Sequence, residues 1–160
     1  MKQKTLARLI MAAIIGVALC LLIAYIFIIP AFAEHLAGIA GGEFASFKTP
    51  WLVLVSITAL PLFAMLALAF VIAVNISRDR SFIMTNAKLL AAMSLLAAAD
   101  SAYFFVGNVV MLLLNMNHPG VFLFDMIICF LGLAVTLICA ALSHYARKAA
   151  EMKADAELTI

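Results

Sequence analysis

Four stretches of this chain are each long and apolar enough to cross a membrane, and once they are placed little sequence remains for any other fold. They run from Leu9 to Phe32, Trp51 to Val74, Leu89 to Leu114 and Val121 to Leu142. A helix rises about 1.5 Å per residue and the hydrocarbon core is about 30 Å thick, so roughly 20 apolar residues suffice. Lipid offers the backbone no hydrogen-bond partners, and the runs lack the alternation of barrel strands, so each reads as a helix satisfying its own amides. Composition agrees. Of 160 residues, 68% are hydrophobic and 11% charged, against about 45–50% and 25% in soluble domains. That balance excludes a soluble enzyme, a disordered chain and a disulfide scaffold. The expected fold is all-α: a polytopic membrane protein, residues 1–160 forming a single up-down-up-down four-helix domain with a cytoplasmic amphipathic tail, 143–160.

Orientation follows from the bases. Lys2, Lys4 and Arg8 precede the first span, Arg78, Arg80 and Lys88 lie between the second and third, and Arg147, Lys148 and Lys153 follow the fourth. Only Lys48 falls on the other side, so the positive-inside rule puts both termini and the middle loop in the cytoplasm. The net charge of +2 is thereby a topology signal. Without a clustered basic, aromatic patch it does not point to nucleic acid. Ala31-Phe32-Ala33 imitates a signal-peptide cleavage site, but the preceding apolar run, Leu9 to Ile29, is 21 residues. A signal core is about 7–15, so the segment reads as an uncleaved helix.

Stripes of small residues let helices approach in lipid. Ala12, Gly16, Cys20 and Ala24 form one such stripe, Ser94, Ala98 and Ala102 a second, and Gly132, Thr136 and Ala140 a third. Asp100 is the only acid near mid-membrane, where a carboxyl is costly, so it should face the bundle interior. Pro61 lacks an amide hydrogen and frees the Ile57 carbonyl, which Asp100 could reach as a donor. That pair reads as an interhelical tie, with a proton- or cation-coupled site as the alternative. Asn108 and Asn75 read as polar packing residues. Asp125, His118, His35, Glu34 and Glu43 lie in or near the outer loops and read as solvated residues in no metal-ligand spacing, with Asp125 near the start of the fourth helix, where an acid suits the dipole. Trp51 and Tyr145 suit the headgroup level. Cys20, Cys129 and Cys139 form no Cys-x-x-Cys pair, and no span contains a haem-ligating His. There is no phosphate loop or nucleophile elbow, so neither enzymatic activity, metal nor cofactor is expected.

Two cytoplasmic segments carry more information. Phe82 can insert at the interface, and Thr85 or Asn86 can cap the third helix. In the tail, Tyr145, Ala149, Met152, Ala156 and Ile160 recur at helical spacing, an apolar stripe for a partner or the lipid surface. Ser81-Phe82 with Thr85-Asn86-Ala87 and Leu89, together with Ala150-Glu151-Met152-Lys153 and Glu157-Leu158-Thr159-Ile160, resembles the DUF2975 family. These are small four-span proteins of the bacterial cytoplasmic membrane, and the resemblance extends along the whole chain. In place of the hydroxyl residue common after the family's Phe, this chain has Ile83 and Met84. Members are often encoded beside a small helix-turn-helix regulator. The resemblance therefore implies a membrane-anchored regulatory or sensor protein that docks such a regulator through Phe82, Met152, Glu157, Leu158 and Ile160. The alternatives are a small transporter using Asp100, or an accessory bundle for another membrane protein. A homo-oligomer is compatible with any of these.

Overall fold

The computed structural model describes residues 3–39 and 46–158, and they are helical almost throughout. In chain order the elements are α1 (Gln3–Ile23), a π-helical turn (Ala24–Ile28), α2 (Ile29–Ile39), α3 (Lys48–Ser77), α4 (Met84–Leu113) and α5 (Pro119–Leu158). Four helical segments, with α1 and α2 counted as one, are long and apolar enough to span a membrane. The chain is on this basis a multi-pass membrane protein, and the many exposed Leu, Ile, Val and Phe side chains form the surface that lipid would cover.

Every boundary has a local cause. The π-turn ends where the Ile29 amide bonds back to the Ala24 carbonyl, one residue ahead of Pro30. A wider turn there relieves the clash that a proline imposes on an α-helix, so α1 and α2 run on without a break. Pro61 is accommodated within α3. Helices α3 and α4 end alike, on a residue in the left-handed region: Asp79 (φ 59°) and Asn115 (φ 56°). After α3 the Arg80 amide bonds the Asn75 carbonyl (3.0 Å) and Asp79 bonds Ile76 (3.1 Å). After α4, Met116 bonds Met111 (2.8 Å) and Asn115 bonds Leu112 (3.0 Å). Both are Schellman closures, in which short polar side chains replace the usual glycine. Neither Thr85 nor Asn86 caps α4. Its first residue follows extended Ile83 with no side-chain cap, and Asn86 is instead buried, bonded to the Arg80 and Ser81 carbonyls (3.0 and 2.9 Å) and to Asn75 (2.7 Å). It fastens the middle loop to the ends of two helices.

The helices pack in chain order: α1 against α3, α3 against α4, and α4 most extensively against α5. On α4 the contacts of the α4–α5 seam repeat every seven residues. Ser143 donates to the Ala87 carbonyl (2.8 Å), Ser94 to the Thr136 carbonyl (2.9 Å), and Ser101 abuts Gly132. On α4 the series continues to Asn108, and Ala97, Phe104 and Met111 are buried beside it. This is the spacing of a left-handed seam built on small residues. Of the expected stripes at intervals of four it keeps Ser94, Gly132 and Thr136. Ala102 and Ala140 are exposed, as are Ala12, Gly16 and Cys20 on α1. The apolar core joins α3 to α4 through Leu54, Val55, Phe104 and Met111.

A Cβ on Gly132 would collide with Ser101 Oγ, whereas one on Gly16 meets nothing within 4 Å. Gly132→Leu should therefore lower stability by about 1–3 kcal/mol through overpacking, and Gly16→Leu by less than about 0.5 kcal/mol. Reversible unfolding of the two detergent-solubilised variants measures the difference.

Candidate functional site

Polar groups collect where the α4–α5 turn meets the start of α3. Pro119 occupies the first position of α5, where its missing amide is harmless. His118 precedes it, and its Nδ1 accepts from the Gly120 amide (3.1 Å). This turn brings Asn117 over α4. There Asn117 Nδ2 donates to Asn108 Oδ1 (3.0 Å), while Asn108 Nδ2 donates to the Phe104 carbonyl one turn back (3.0 Å). Asn108 is completely buried. A lone amide at that place would be expensive, and the pairing is what makes it tolerable.

Asp125 lies beside this pair. It stands in the second turn of α5 and is only 2% exposed, which corrects its reading as a solvated loop residue. Asn117 also hydrogen-bonds its carboxyl, yet Oδ2 has no partner among the described residues. Nor has the buried indole nitrogen of Trp51. Trp51 packs on the Leu54–Phe104 core, so its ring belongs to the interior as well as to a headgroup layer.

Two adjoining cavities, of about 260 and 450 Å³, share Trp51, His118 and Val121 as walls. The larger lies between the α1–α2 segment and α5. Ile28, Ile29 and Phe32 form one side, Phe124, Asp125 and Ile128 the other, with Val55 and Phe104 between them. Its origin is the packing order, because α1 and α5 each have a partner on only one side. Its walls are apolar apart from the groups at one level, the usual character of a small-molecule site.

The remaining candidate residues are placed as follows. Asp100 is half-buried on α4 and forms no hydrogen bond with the Ile57 carbonyl; the polar tie near Pro61 is made by Tyr25 and Thr58 instead (2.6 Å). Thr58 donates its only proton to the Val55 carbonyl (2.6 Å), so Tyr25 is the donor in that pair. The π-turn carries Tyr25. Pro61 is half-buried within α3 and belongs to neither cavity. Phe82 and Met152 are exposed, 59% and 58%, and line neither cavity; Phe82 is on the middle loop and Met152 toward the far end of α5. Glu43 and Ile160, and the side chains of Glu157 and Leu158, lie outside the described residues. Lys48 pairs with Glu34 (3.0 Å) and so ties α2 to α3 beside the smaller cavity. Among the described residues no three His, Cys, Asp or Glu side chains gather as metal ligands would.

Trp51 and Asp125 were the residues that sequence reasoning passed over as site candidates. An acid seven residues into a helix that opens on His-Pro-Gly looked solvated, and only the fold of the turn buries it. Residues 33–160 match the profile of a family described as protein of unknown function (DUF2975). No curated protein and no solved structure matches the chain.

Removing either amide of the Asn108–Asn117 pair leaves the other buried and unpaired. Asn108→Leu and Asn117→Ala should each cost about 1–3 kcal/mol. The double variant should cost less than the sum by at least about 0.5 kcal/mol, measured by a double-mutant cycle in chemical denaturation.

Proposed function

The chain belongs to the DUF2975 family, and from that premise we propose that it is a membrane-anchored regulatory protein whose cytoplasmic tail holds a DNA-binding partner of the helix-turn-helix type. The observation that carries this reading is the length of α5. It is one unbroken helix of 40 residues, about 60 Å at 1.5 Å per residue, twice the thickness of the hydrocarbon core. Its apolar half ends near Leu142. Beyond that point it carries Arg147, Lys148, Glu151, Lys153 and Asp155, so it leaves the membrane as a rigid arm.

The arm has a face to offer. Tyr145 and Met152, two turns apart, are 68% and 58% exposed, with half-buried Ala149 between them on the same face. Glu157, Leu158 and Ile160 extend the docking segment, and Phe82 on the middle loop adds an exposed aromatic (59%). Lys and Arg near the bilayer can meet headgroups, while Glu151, farther out, can meet a basic partner.

In this arrangement the helices run up and down, with both termini and the middle loop in the cytoplasm of a bacterial cell. Two hydrogen bonds support a common side for those pieces. Gln3 Nε2 at the start of α1 donates to Ser81 Oγ in the middle loop (2.7 Å), and Ser143 at the base of the arm donates to the Ala87 carbonyl (2.8 Å). Nine of the ten basic residues then share that side.

Deleting residues 155–160 should reduce recovery of the partner with the membrane fraction at least about tenfold, a loss equivalent to about 1.4 kcal/mol, without altering the helicity of the membrane domain. Copurification of a neighbouring-gene helix-turn-helix protein, full chain against truncation, is the measurement. Undiminished recovery would make tail docking wrong.

A further inference from the structure

The end of the bundle where α1 begins carries an inference independent of the tail. Gln3 Nε2 donates to Ser81 Oγ (2.7 Å), which brings the first turns of α1 beside the middle loop and the end of α3. Lys4 follows Gln3 and Arg80 precedes Ser81, while Arg8 stands one turn farther along α1 and Arg78 closes α3. All four bases are exposed. None of their side chains has a hydrogen bond or an ion pair among the described residues. Asp79 is the only acid within residues 3–9 and 78–82, so the two segments together carry a surplus of positive charge. The arm differs, because Glu151 follows Arg147 by one helical turn and supplies an acid on the same face.

The loop backbone holds these charges in a fixed arrangement. The Arg78 and Arg80 amides both bond the Asn75 carbonyl (3.1 and 3.0 Å), and buried Asn86 bonds the Arg80 and Ser81 carbonyls (3.0 and 2.9 Å). A partner therefore meets a segment already ordered, which lowers the cost of binding. Arginine matches a phosphate with paired N–H donors, and lysine adds a point charge. A zwitterionic headgroup carries its own ammonium, which these four cations repel. Apolar side chains adjoin the bases: Leu6 and Leu9 on α1 are exposed, as is Val71, two turns before Arg78 on α3, and the two helices pack on each other. A soluble anion would use the bases alone, whereas a phospholipid uses both surfaces, its headgroup on the bases and its chains along the helices. We propose that Lys4, Arg8, Arg78 and Arg80 form a site for the phosphate of an anionic phospholipid, with its acyl chains against Leu6, Leu9 and Val71.

The full chain, purified in a non-ionic detergent, is mixed with equal amounts of phosphatidylglycerol and phosphatidylcholine, and bound lipid is counted by native mass spectrometry. Phosphatidylglycerol should be retained at least about tenfold over phosphatidylcholine. Lys4→Gln with Arg80→Gln should reduce that preference at least about fivefold, whereas Arg147→Gln with Lys148→Gln should leave it within about twofold. Glycerol 3-phosphate, which has the phosphate without the chains, should not displace the lipid. Equal retention of the two lipids overturns the proposal, as does an undiminished preference in the Lys4 and Arg80 variant. An equal loss in the arm variant means diffuse charge and overturns the site, and displacement by glycerol 3-phosphate overturns it in favour of a soluble anion. Should the Lys4 and Arg80 variant lose helicity by circular dichroism, Arg8→Gln with Arg78→Gln decides by the same criterion.

Discussion

The α4–α5 seam is the interaction on which the rest of this structure depends. Helices in lipid gain nothing from expelling water, so they must be held by close backbone approach and by hydrogen bonds between helices. This seam has both at once. Ser143 and Ser94 each reach across to a backbone carbonyl of the neighbouring helix, and Gly132 admits Ser101 where any side chain would obstruct it. Spacing these contacts at sevens on α4, and at seven and then four on α5, keeps them on one line along both helices. The Asn108–Asn117 pair closes the same line at the turn, and that closure positions Asp125.

The open cavity follows from the same arithmetic. A chain that packs its helices in order leaves its first and last with one neighbour each, unless they turn to meet. Here they do not meet at the Trp51 end, and the space between them is the larger cavity. The core that keeps it from collapsing, Leu54, Val55, Phe104 and Met111, belongs to the two middle helices. The walls and the support are thus separate elements.

Much of this was legible in the sequence. The four apolar runs mark the four segments, although each helix extends past the apolar stretch, because polar residues such as Lys48 and Arg147 can continue a helix into the interface. Asn108, which reads as a packing residue, is completely buried. Depth along a span misjudges Asp125, which is buried, and says little of Asp100, which is half-buried. Burial depends on which side of a helix faces the seam, and Asp125 shares the heptad position of Gly132 and Cys139 while Asp100 stands one residue off the Ser94–Ser101–Asn108 series. A period of seven, counted along α5 from Asp125, would have found it. The orphaned indole nitrogen of Trp51 had no such signal, since which way a ring faces is a tertiary matter.

The larger cavity and the proposed docking face lie at opposite ends of one helix. Asp125 and Met152 are 27 residues apart on α5, about 40 Å along a rod with no break between them. A rigid rod transmits a tilt or rotation without needing a chain of side-chain rearrangements, so α5 suits communication between the cavity and the arm beyond Leu142. The condition is thermodynamic. A bound molecule moves α5 only if it prefers one setting of the α1–α2 and α5 walls over another, and a tenfold preference, about 1.4 kcal/mol, changes the tail's affinity by no more than that factor. Strong switching therefore requires a cavity whose shape differs between settings, and one whose two sides belong to helices that do not pack on each other meets that requirement more readily than one enclosed within the seam.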